Sequence, residues 1–164
     1  MIIIIMGVSG IGKSTVGQML ADALSWRFVE GDAWHSSANI QKMSRGVPLT
    51  DDDRLPWLQH LRTHIRQLMQ QQQSAVVTCS ALKQSYREIL HPHPDEAIQF
   101  VYLKGSKAIV RSRLSQRQKH FMKAEMLESQ LAALEEPHNA IVIDVEMFHS
   151  LEQIITQIRS RLGR

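Results

Sequence analysis

The sequence lacks the features that mark several classes of protein. It holds one cysteine, Cys79, so an internal disulfide is impossible and the paired cysteines of a structural zinc site are missing. Its longest apolar run, residues 1–6, is too short to span a bilayer and has no basic segment of a signal peptide. These absences predict a protein without membrane association in a reducing compartment, the cytoplasm.

The sequence also has little excess of positive over negative charge. The 164 residues include 19 lysines and arginines against 16 acidic residues, a net charge of +3. So small an excess does not indicate nucleic-acid binding and suits anionic small molecules equally well. The hydrophobic fraction of 43% and the charged fraction of 21% exclude a disordered or collagen-like chain. Because the chain has no internal repeat or linker, we expect one domain, residues 1–164.

Short apolar runs alternate with segments of helical period along the chain. The predicted strands cover residues 2–6, 26–30, 74–78, 98–103 and 140–145. This alternation is typical of an α/β fold, in which helices cover both faces of a parallel sheet. The first strand is apolar on both faces, which predicts a central position. In an open sheet of about five strands, ligands bind beyond the carboxyl ends of the strands.

The segments between the strands predict helices with recognisable ends. One helix is expected over residues 14–25, and a second over 58–69 with Pro56 in its first turn. A third should be capped by Ser80 and stopped by Pro92. A fourth follows Ser106, and another covers residues 127–134. The last opens at Ser150 with a capping-box spacing.

A glycine-rich motif joins the first strand to the first helix. The sequence Gly7-Val8-Ser9-Gly10-Ile11-Gly12-Lys13-Ser14 matches G-x-x-x-x-G-K-[ST] in the strand–loop–helix context that this motif requires. Its backbone N–H groups and the helix N-terminus suit the phosphates of ATP. We expect Lys13 to reach the β- and γ-phosphates, Ser14 to ligate Mg²⁺ and Thr15 to contact the α-phosphate.

A carboxylate and several basic residues follow the second predicted strand. Asp32 should lie at the carboxyl end of that strand and face the phosphate loop. It would either orient or deprotonate an acceptor hydroxyl or merely cap a helix, and the residue types alone leave both alternatives open. His35, Lys42, Arg45 and Arg54 follow in a segment rich in turn signals. Bases near one acid suit an anionic, hydroxylated substrate, although each singly is also typical of a solvated surface.

Three further blocks resemble the gluconate kinase family. The first block consists of Gly31-Asp32-x-x-His35, Asn39, Lys42-Met43, Gly46, Pro48-Leu49, Asp51, Asp53-Arg54 and Pro56-Trp57-Leu58. The second is Cys79-Ser80-Ala81-Leu82-Lys83 with Tyr86-Arg87, and the third is His120-Phe121-Met122, Leu127, Ser129-Gln130, Leu134-Glu135 and Pro137. The family usually has proline in place of Ser36 and an aromatic residue in place of Leu131. With the phosphate loop, the blocks span most of the chain.

The resemblance implies ATP-dependent phosphorylation of D-gluconate at its 6-hydroxyl, with Mg²⁺. It also implies a P-loop, nucleoside-monophosphate-kinase-like fold of three α/β/α layers and a homodimer. On this basis Lys13, Asp32 and Arg117 are predicted as catalytic residues. Asp32, His35, Arg54, Lys83 and Arg87 are predicted to bind the sugar acid within an acceptor segment at about residues 35–60 and on the next helix. Lys83 and Arg87, four residues apart, would share one helical face.

A basic stretch, residues 111–120, carries four full positive charges and one histidine. Because it has little aromatic interleaving for base stacking, an RNA-binding face is less favoured than a kinase lid at about residues 111–130. Arg113 and Arg117, one helical turn apart, would close over the phosphates and exclude water. The alternatives that stay open are another small-molecule P-loop kinase, such as a shikimate-like enzyme, and a non-catalytic nucleotide switch.

Overall fold

The protein is built on a parallel sheet of five strands. The computed structural model describes residues 1–116 and 126–164. The strands are β1 Ile2–Met6, β2 Arg27–Glu30, β3 Ala75–Thr78, β4 Ile98–Lys104 and β5 Ala140–Asp144, in the order β2-β3-β1-β4-β5. All neighbours pair in parallel, and β1 lies between β3 and β4 with Ile2 opposite Ala75 and Ile98. The predicted α/β fold with a central first strand is confirmed.

Helices cover both faces of this sheet. They are α1 Lys13–Leu24, α2 Ser37–Ser44, α3 Asp51–Gln70, α4 Gln84–Leu90, α5 Lys107–Ser115, α6 Met126–Ala133 and α7 Leu151–Leu162. Two 3₁₀ turns, Gly31–Trp34 and Val145–Met147, directly follow β2 and β5. In the described part of the chain, no helix is both long enough and apolar enough to cross a membrane.

The alternation of side chains along β1 divides the core into two layers. Ile3 and Ile5 pack on one face with residues of α1, α5, α6 and α7, among them Leu20 and Ile158. Ile2, Ile4 and Met6 pack on the other face with α3 and α4. Because both layers bury β1 completely, its carboxyl end is held rigidly at the sheet edge where ligands bind in such folds.

The second long helix begins earlier than the sequence pattern predicts. Helix α3 starts at Asp51, so Pro56 lies in the second turn, and its predicted place in the first turn is wrong. A capping box explains the early start: the Thr50 hydroxyl accepts from the Asp53 N–H at 3.1 Å, and the Asp53 carboxylate accepts from the Thr50 N–H at 2.9 Å. This cap stabilises the first turn, and burial of Trp57 and Leu58 holds the helix across the proline.

The predicted cap at Ser80 is also wrong. Helix α4 begins only at Gln84, and the chain before it turns sharply at Ala81, which has a left-handed φ of 46°. The Arg87 guanidinium donates to the carbonyls of Ala81 and Leu82 at 2.8 and 3.1 Å, so these carbonyls have a side-chain partner in place of helical hydrogen bonds. The Ser80 carbonyl instead accepts from the Gly7 N–H.

Helix α2 was not predicted from the segment between the second strand and α3. Its N-cap is Ser36, the residue where the resembling family usually has proline, and the Ser36 hydroxyl accepts from the Asn39 N–H at 3.1 Å. The helix is short and buries only Asn39 and Met43. So short an element has too few apolar positions to establish a period.

We expect Gly31→Ala to be strongly destabilising. The Gly31 N–H donates to Thr78 Oγ1, and a methyl group at Gly31 would lie 1.8 Å from the Thr78 carbonyl oxygen. Overpacking of this kind should lower the free energy of unfolding by about 3 kcal/mol, measured by urea denaturation. The comparison variant is Gly17→Ala in α1, whose methyl group would lie 2.9 Å from side-chain atoms of Phe28 and of Thr78 and not against a backbone carbonyl. This variant also gains helix propensity, so we expect it to lose less stability than Gly31→Ala. Equal losses in the two variants would contradict the close approach at Gly31.

Candidate active site

The phosphate loop occupies the turn from β1 into α1. Gly7, Gly10 and Gly12 have φ values of 146°, 84° and 110°, a region that side-chain-bearing residues rarely adopt. At Gly7 a methyl group would also lie 2.8 Å from the Leu103 carbonyl oxygen. The glycines therefore let the loop turn tightly at the end of β1 and lead into the positive end of α1.

Lys13, Ser14 and Thr15 open helix α1 directly after the loop. The Lys13 ammonium donates to the Val8 carbonyl at 3.0 Å and thus lies across the loop. Ser14 and Thr15 are exposed. The described residues include no cluster of three or more His, Cys, Asp or Glu side chains that could hold a metal. Mg²⁺ bound through phosphates and water needs few protein ligands, so the exposed Ser14 hydroxyl fits it.

A small cavity lies beside the phosphate loop. Ten residues line it: Ser9, Lys13, Asp32, His35, Met43, Leu49, Arg54, Trp57, Ser80 and Gln130. Four of the residues predicted for catalysis or acceptor binding therefore meet in one space. Positive, negative and aromatic groups converge there, as an anionic and hydroxylated ligand requires.

Asp32 enters the cavity from the 3₁₀ turn that follows β2. Its carboxylate is one-third exposed, and one oxygen lies 3.9 Å from His35 Nε2. The N-cap position of this turn is occupied by Glu30, and no side chain caps the turn. Among the described residues, Asp32 makes no capping hydrogen bond to the backbone. The alternative of a helix cap therefore has no support in the geometry.

His35 is held as a neutral imidazole. Its ring stacks on Trp57 with centroids 3.9 Å apart, and burial lowers its pKa to about 4, against the raising effect of Asp32. The Asn39 amide donates to His35 Nδ1 at 3.3 Å and to the Asp53 carbonyl at 2.9 Å. Because Nδ1 accepts, the proton of the neutral ring resides on Nε2, the atom that faces Asp32.

Arg54 reaches the cavity from the first turns of α3. Its Nη1 donates to the Leu49 carbonyl at 2.5 Å and to the Tyr86 hydroxyl at 3.3 Å. Its guanidinium carbon also lies 5.5 Å from the centre of the Tyr86 ring. The side chain is thus fixed in place while it lines the cavity.

The structure does not bring Lys83 and Arg87 into this cavity. Lys83 precedes α4 as its N-cap residue and pairs with Asp51 at 3.0 Å, so the prediction that the two residues share a helical face is wrong. Arg87 is buried and uses its guanidinium on backbone carbonyls. It lines a second, larger cavity, which contains no phosphate-loop residue and adjoins the amino ends of β4 and β5.

Of the two arginines assigned to the lid, only Arg113 is described. Its Nη1 donates to the Ile11 carbonyl at 2.7 Å, beside Gly12, so this side chain contacts the phosphate loop. The predicted catalytic residue Arg117 lies outside the described residues, as do residues 117–125 of the predicted lid.

Sequence reasoning assigned no role to three residues that shape the site. Gln130, buried in α6, accepts from the Ser9 N–H at 2.6 Å. Trp57 stacks on His35 and donates to the Gly31 carbonyl at 2.8 Å. Asn39 orients His35. All three stand in the blocks that resemble gluconate kinases, and this membership was the signal that marked them.

Comparison with known proteins finds relatives over most of the chain. A family model described as an AAA domain matches residues 2–137, which include every residue that lines the cavity. A gluconokinase from Gluconobacter oxydans (strain 621H) is 50% identical over 135 residues, 82% of this chain and 75% of that protein. An unliganded sugar kinase from Janibacter sp. HTCC2649 has a TM-score of 0.90 at 41% identity, covering 99% of this chain and 94% of that one. A gluconokinase from Sinorhizobium meliloti 1021 has a TM-score of 0.83 at 42% identity, covering 99% and 91%.

The lowered pKa of His35 predicts a pH-dependent stability. The unfolded chain protonates this histidine near its ordinary pKa of about 6.5, whereas the folded chain does so near pH 4. Between these values the unfolded chain binds more protons, so the folded state loses stability as the pH falls. We expect His35→Gln to reduce the loss of unfolding free energy between pH 7 and pH 5 by about 2 kcal/mol.

The measurement is urea denaturation at both pH values. His60→Gln is the matched control, because it removes an exposed histidine from the same helix that carries Trp57. If His35→Gln kept the full pH dependence of the parent protein, His35 would not be a buried neutral group.

Proposed function

Because this chain belongs to the gluconokinase family, we propose that it transfers the γ-phosphoryl group of ATP to the 6-hydroxyl of D-gluconate, giving 6-phospho-D-gluconate and ADP. One observation carries the proposal: a single cavity joins the phosphate-loop lysine Lys13 to the carboxylate of Asp32 and the guanidinium of Arg54. Gluconokinases related over most of the chain support the same acceptor.

The phosphate loop supplies the charge that phosphoryl transfer needs. Such reactions depend on positioning and electrostatic stabilisation more than on covalent help from the protein. The loop N–H groups and the end of α1 hold the β- and γ-phosphates, while the Lys13 ammonium lies where negative charge develops. Mg²⁺, when bound with ATP, neutralises phosphate oxygens, and Ser14 would hold it. Arg113 adds a further positive charge next to the loop.

Asp32 acts on the acceptor hydroxyl. It lies in the same cavity as Lys13, so a substrate hydroxyl that donates a hydrogen bond to Asp32 faces the transferring phosphoryl group. The carboxylate orients this hydroxyl and takes its proton during transfer. The neutral His35 donates from Nε2 toward the same region and adds no positive charge that would compete for the carboxylate.

Arg54 binds the acid group at the other end of the substrate. In a six-carbon sugar acid, the carboxylate and the terminal hydroxyl lie at opposite ends of the molecule. A site for it therefore needs a cation on one side and a base beside the phosphates on the other. Arg54 and Asp32 fill these two roles, and a planar guanidinium binds a carboxylate with two parallel hydrogen bonds. The homodimer and the cytoplasmic location stay predictions.

An acceptor panel tests the proposed function. Purified protein with Mg²⁺ and ATP is supplied with gluconate, other sugar acids, shikimate or nucleoside monophosphates, and ADP release is measured. We expect the highest kcat/KM for gluconate. Turnover of a different acceptor with none on gluconate would assign the chain to another small-molecule kinase. ATP binding without turnover of any acceptor would identify a nucleotide switch.

Asp32→Asn should lower kcat for gluconate by roughly 10²–10⁴-fold, because the amide cannot take the proton of the acceptor hydroxyl. Steady-state kinetics with ATP and gluconate measure the effect, with the melting temperature recorded in parallel. The control is Asp95→Asn, which makes the same charge change at an exposed residue before β4, at the opposite end of the sheet. An Asp32→Asn variant that lost stability but kept kcat would remove Asp32 from the reaction.

A further inference from the structure

The charges around Arg54 show an unusual division of partners. Helix α3 begins with three acidic residues, Asp51, Asp52 and Asp53, immediately before Arg54. Carboxylates so close to a guanidinium would normally be expected to pair with it. Among the described residues, however, Arg54 forms no ion pair, and its hydrogen bonds go to the Leu49 carbonyl and the Tyr86 hydroxyl.

Two lysines account for this division. Lys42 from α2 pairs with Asp53 at 2.8 Å, and its hydrogen bond lowers the pKa of Asp53 to about 2. Lys83 pairs with Asp51 at 3.0 Å. Hydrogen bonds from the Tyr86 hydroxyl and from Lys83 hold the pKa of Asp51 below its ordinary value. Both acids therefore stay ionised and have a cation other than Arg54 as their partner.

Tyr86 connects Arg54 to one of these pairs. Its hydroxyl donates to the Asp51 carboxylate, so its oxygen is left to accept from Arg54 Nη1. The tyrosine is buried, with 4% of its surface exposed, and its ring lies against the guanidinium. Tyr86 thus holds Arg54 in two ways: its ring packs against the guanidinium, and its hydroxyl accepts from Nη1. Asp51 and Lys83 in turn fix the direction of the tyrosine hydroxyl.

We propose that Tyr86, together with the Lys83–Asp51 pair, is a positioning unit that presents Arg54 to the carboxylate of the acceptor. The unit contributes no atom to the reaction. It keeps the positive charge of Arg54 available for the substrate by giving Asp51 another cation, and it aims the guanidinium into the cavity. Lys83 therefore serves the acceptor site indirectly, through Asp51. This inference rests on the proposed function, since it assumes an acidic acceptor.

Tyr86→Phe removes the hydroxyl and keeps the ring. We expect the KM for gluconate to rise about tenfold, because a hydrogen bond to a charged group is lost, while kcat and the KM for ATP stay within about twofold. Gluconamide, which has a neutral amide in place of the carboxylate and keeps the 6-hydroxyl, serves as an alternative acceptor in the same assay. Its KM should change by less than about twofold, because it makes no ion pair with Arg54. Arg54→Ala removes the guanidinium itself and should therefore show the largest loss of preference for gluconate over gluconamide.

A charge-rescue experiment tests the second part of the proposal. Lys83→Met leaves Asp51 without its lysine, so the carboxylate competes for Arg54 and the gluconate KM should rise about twofold to fivefold. The double variant Lys83→Met with Asp51→Asn removes the competing charge and should return KM toward the parent value. A purely structural role for Lys83 would not produce this recovery.

The control for a lost tyrosine hydroxyl is Tyr102→Phe, at a buried position on β4 whose hydroxyl faces Glu136. It should leave all kinetic constants unchanged. Equal weakening of gluconate and gluconamide in Tyr86→Phe, or an unchanged gluconate KM, would overturn the positioning role. A parent protein that did not phosphorylate gluconate would instead overturn the proposed function, so the two failures are distinguishable.

Discussion

The site depends on the complete burial of β1 between two parallel neighbours. None of its five residues is exposed, and the strand ends where the phosphate loop begins. The first loop residue, Gly7, donates to the Ser80 carbonyl beyond β3 and approaches the Leu103 carbonyl at the end of β4. The loop is therefore anchored to both neighbouring strands. A rigid anchor matters because its amides must already point at the phosphates before transfer occurs.

The parallel sheet then brings distant segments to the same edge. Strand β2 ends beside β3, with Glu30 opposite Thr78, and the next residue, Gly31, donates to the Thr78 hydroxyl. Helix α3 returns to this point because the Trp57 indole donates to the Gly31 carbonyl. Asp32 is thereby positioned by contacts with β3 and α3, not by its own turn alone. The residues proposed for acceptor chemistry and those of the phosphate loop share one edge because every strand points the same way.

The parts predicted correctly are those encoded locally. The phosphate loop is a contiguous motif, and the apolar run of β1 identifies a central strand without knowledge of its neighbours. The start of α4 depends on distant contacts instead: the Leu82 carbonyl accepts from the Glu135 N–H and from Arg87. A pattern read along the chain cannot contain the first of these bonds. For the same reason, the sequence placed Lys83 on a helix whose first residue is Gln84.

The proposed role of Asp32 as a base also requires His35 to be uncharged. A protonated His35 at 3.9 Å from Asp32 would pair with the carboxylate and reduce its ability to accept a proton from a substrate. Stacking on Trp57 removes the ring from water, and desolvation lowers its pKa more than Asp32 raises it. The positive charge in the cavity is consequently concentrated in Lys13 and Arg54, on the phosphate side and the acceptor side. The net charge of +3 is thus less informative than the placement of these two cations, because each faces one of the two anionic substrates of the proposed reaction.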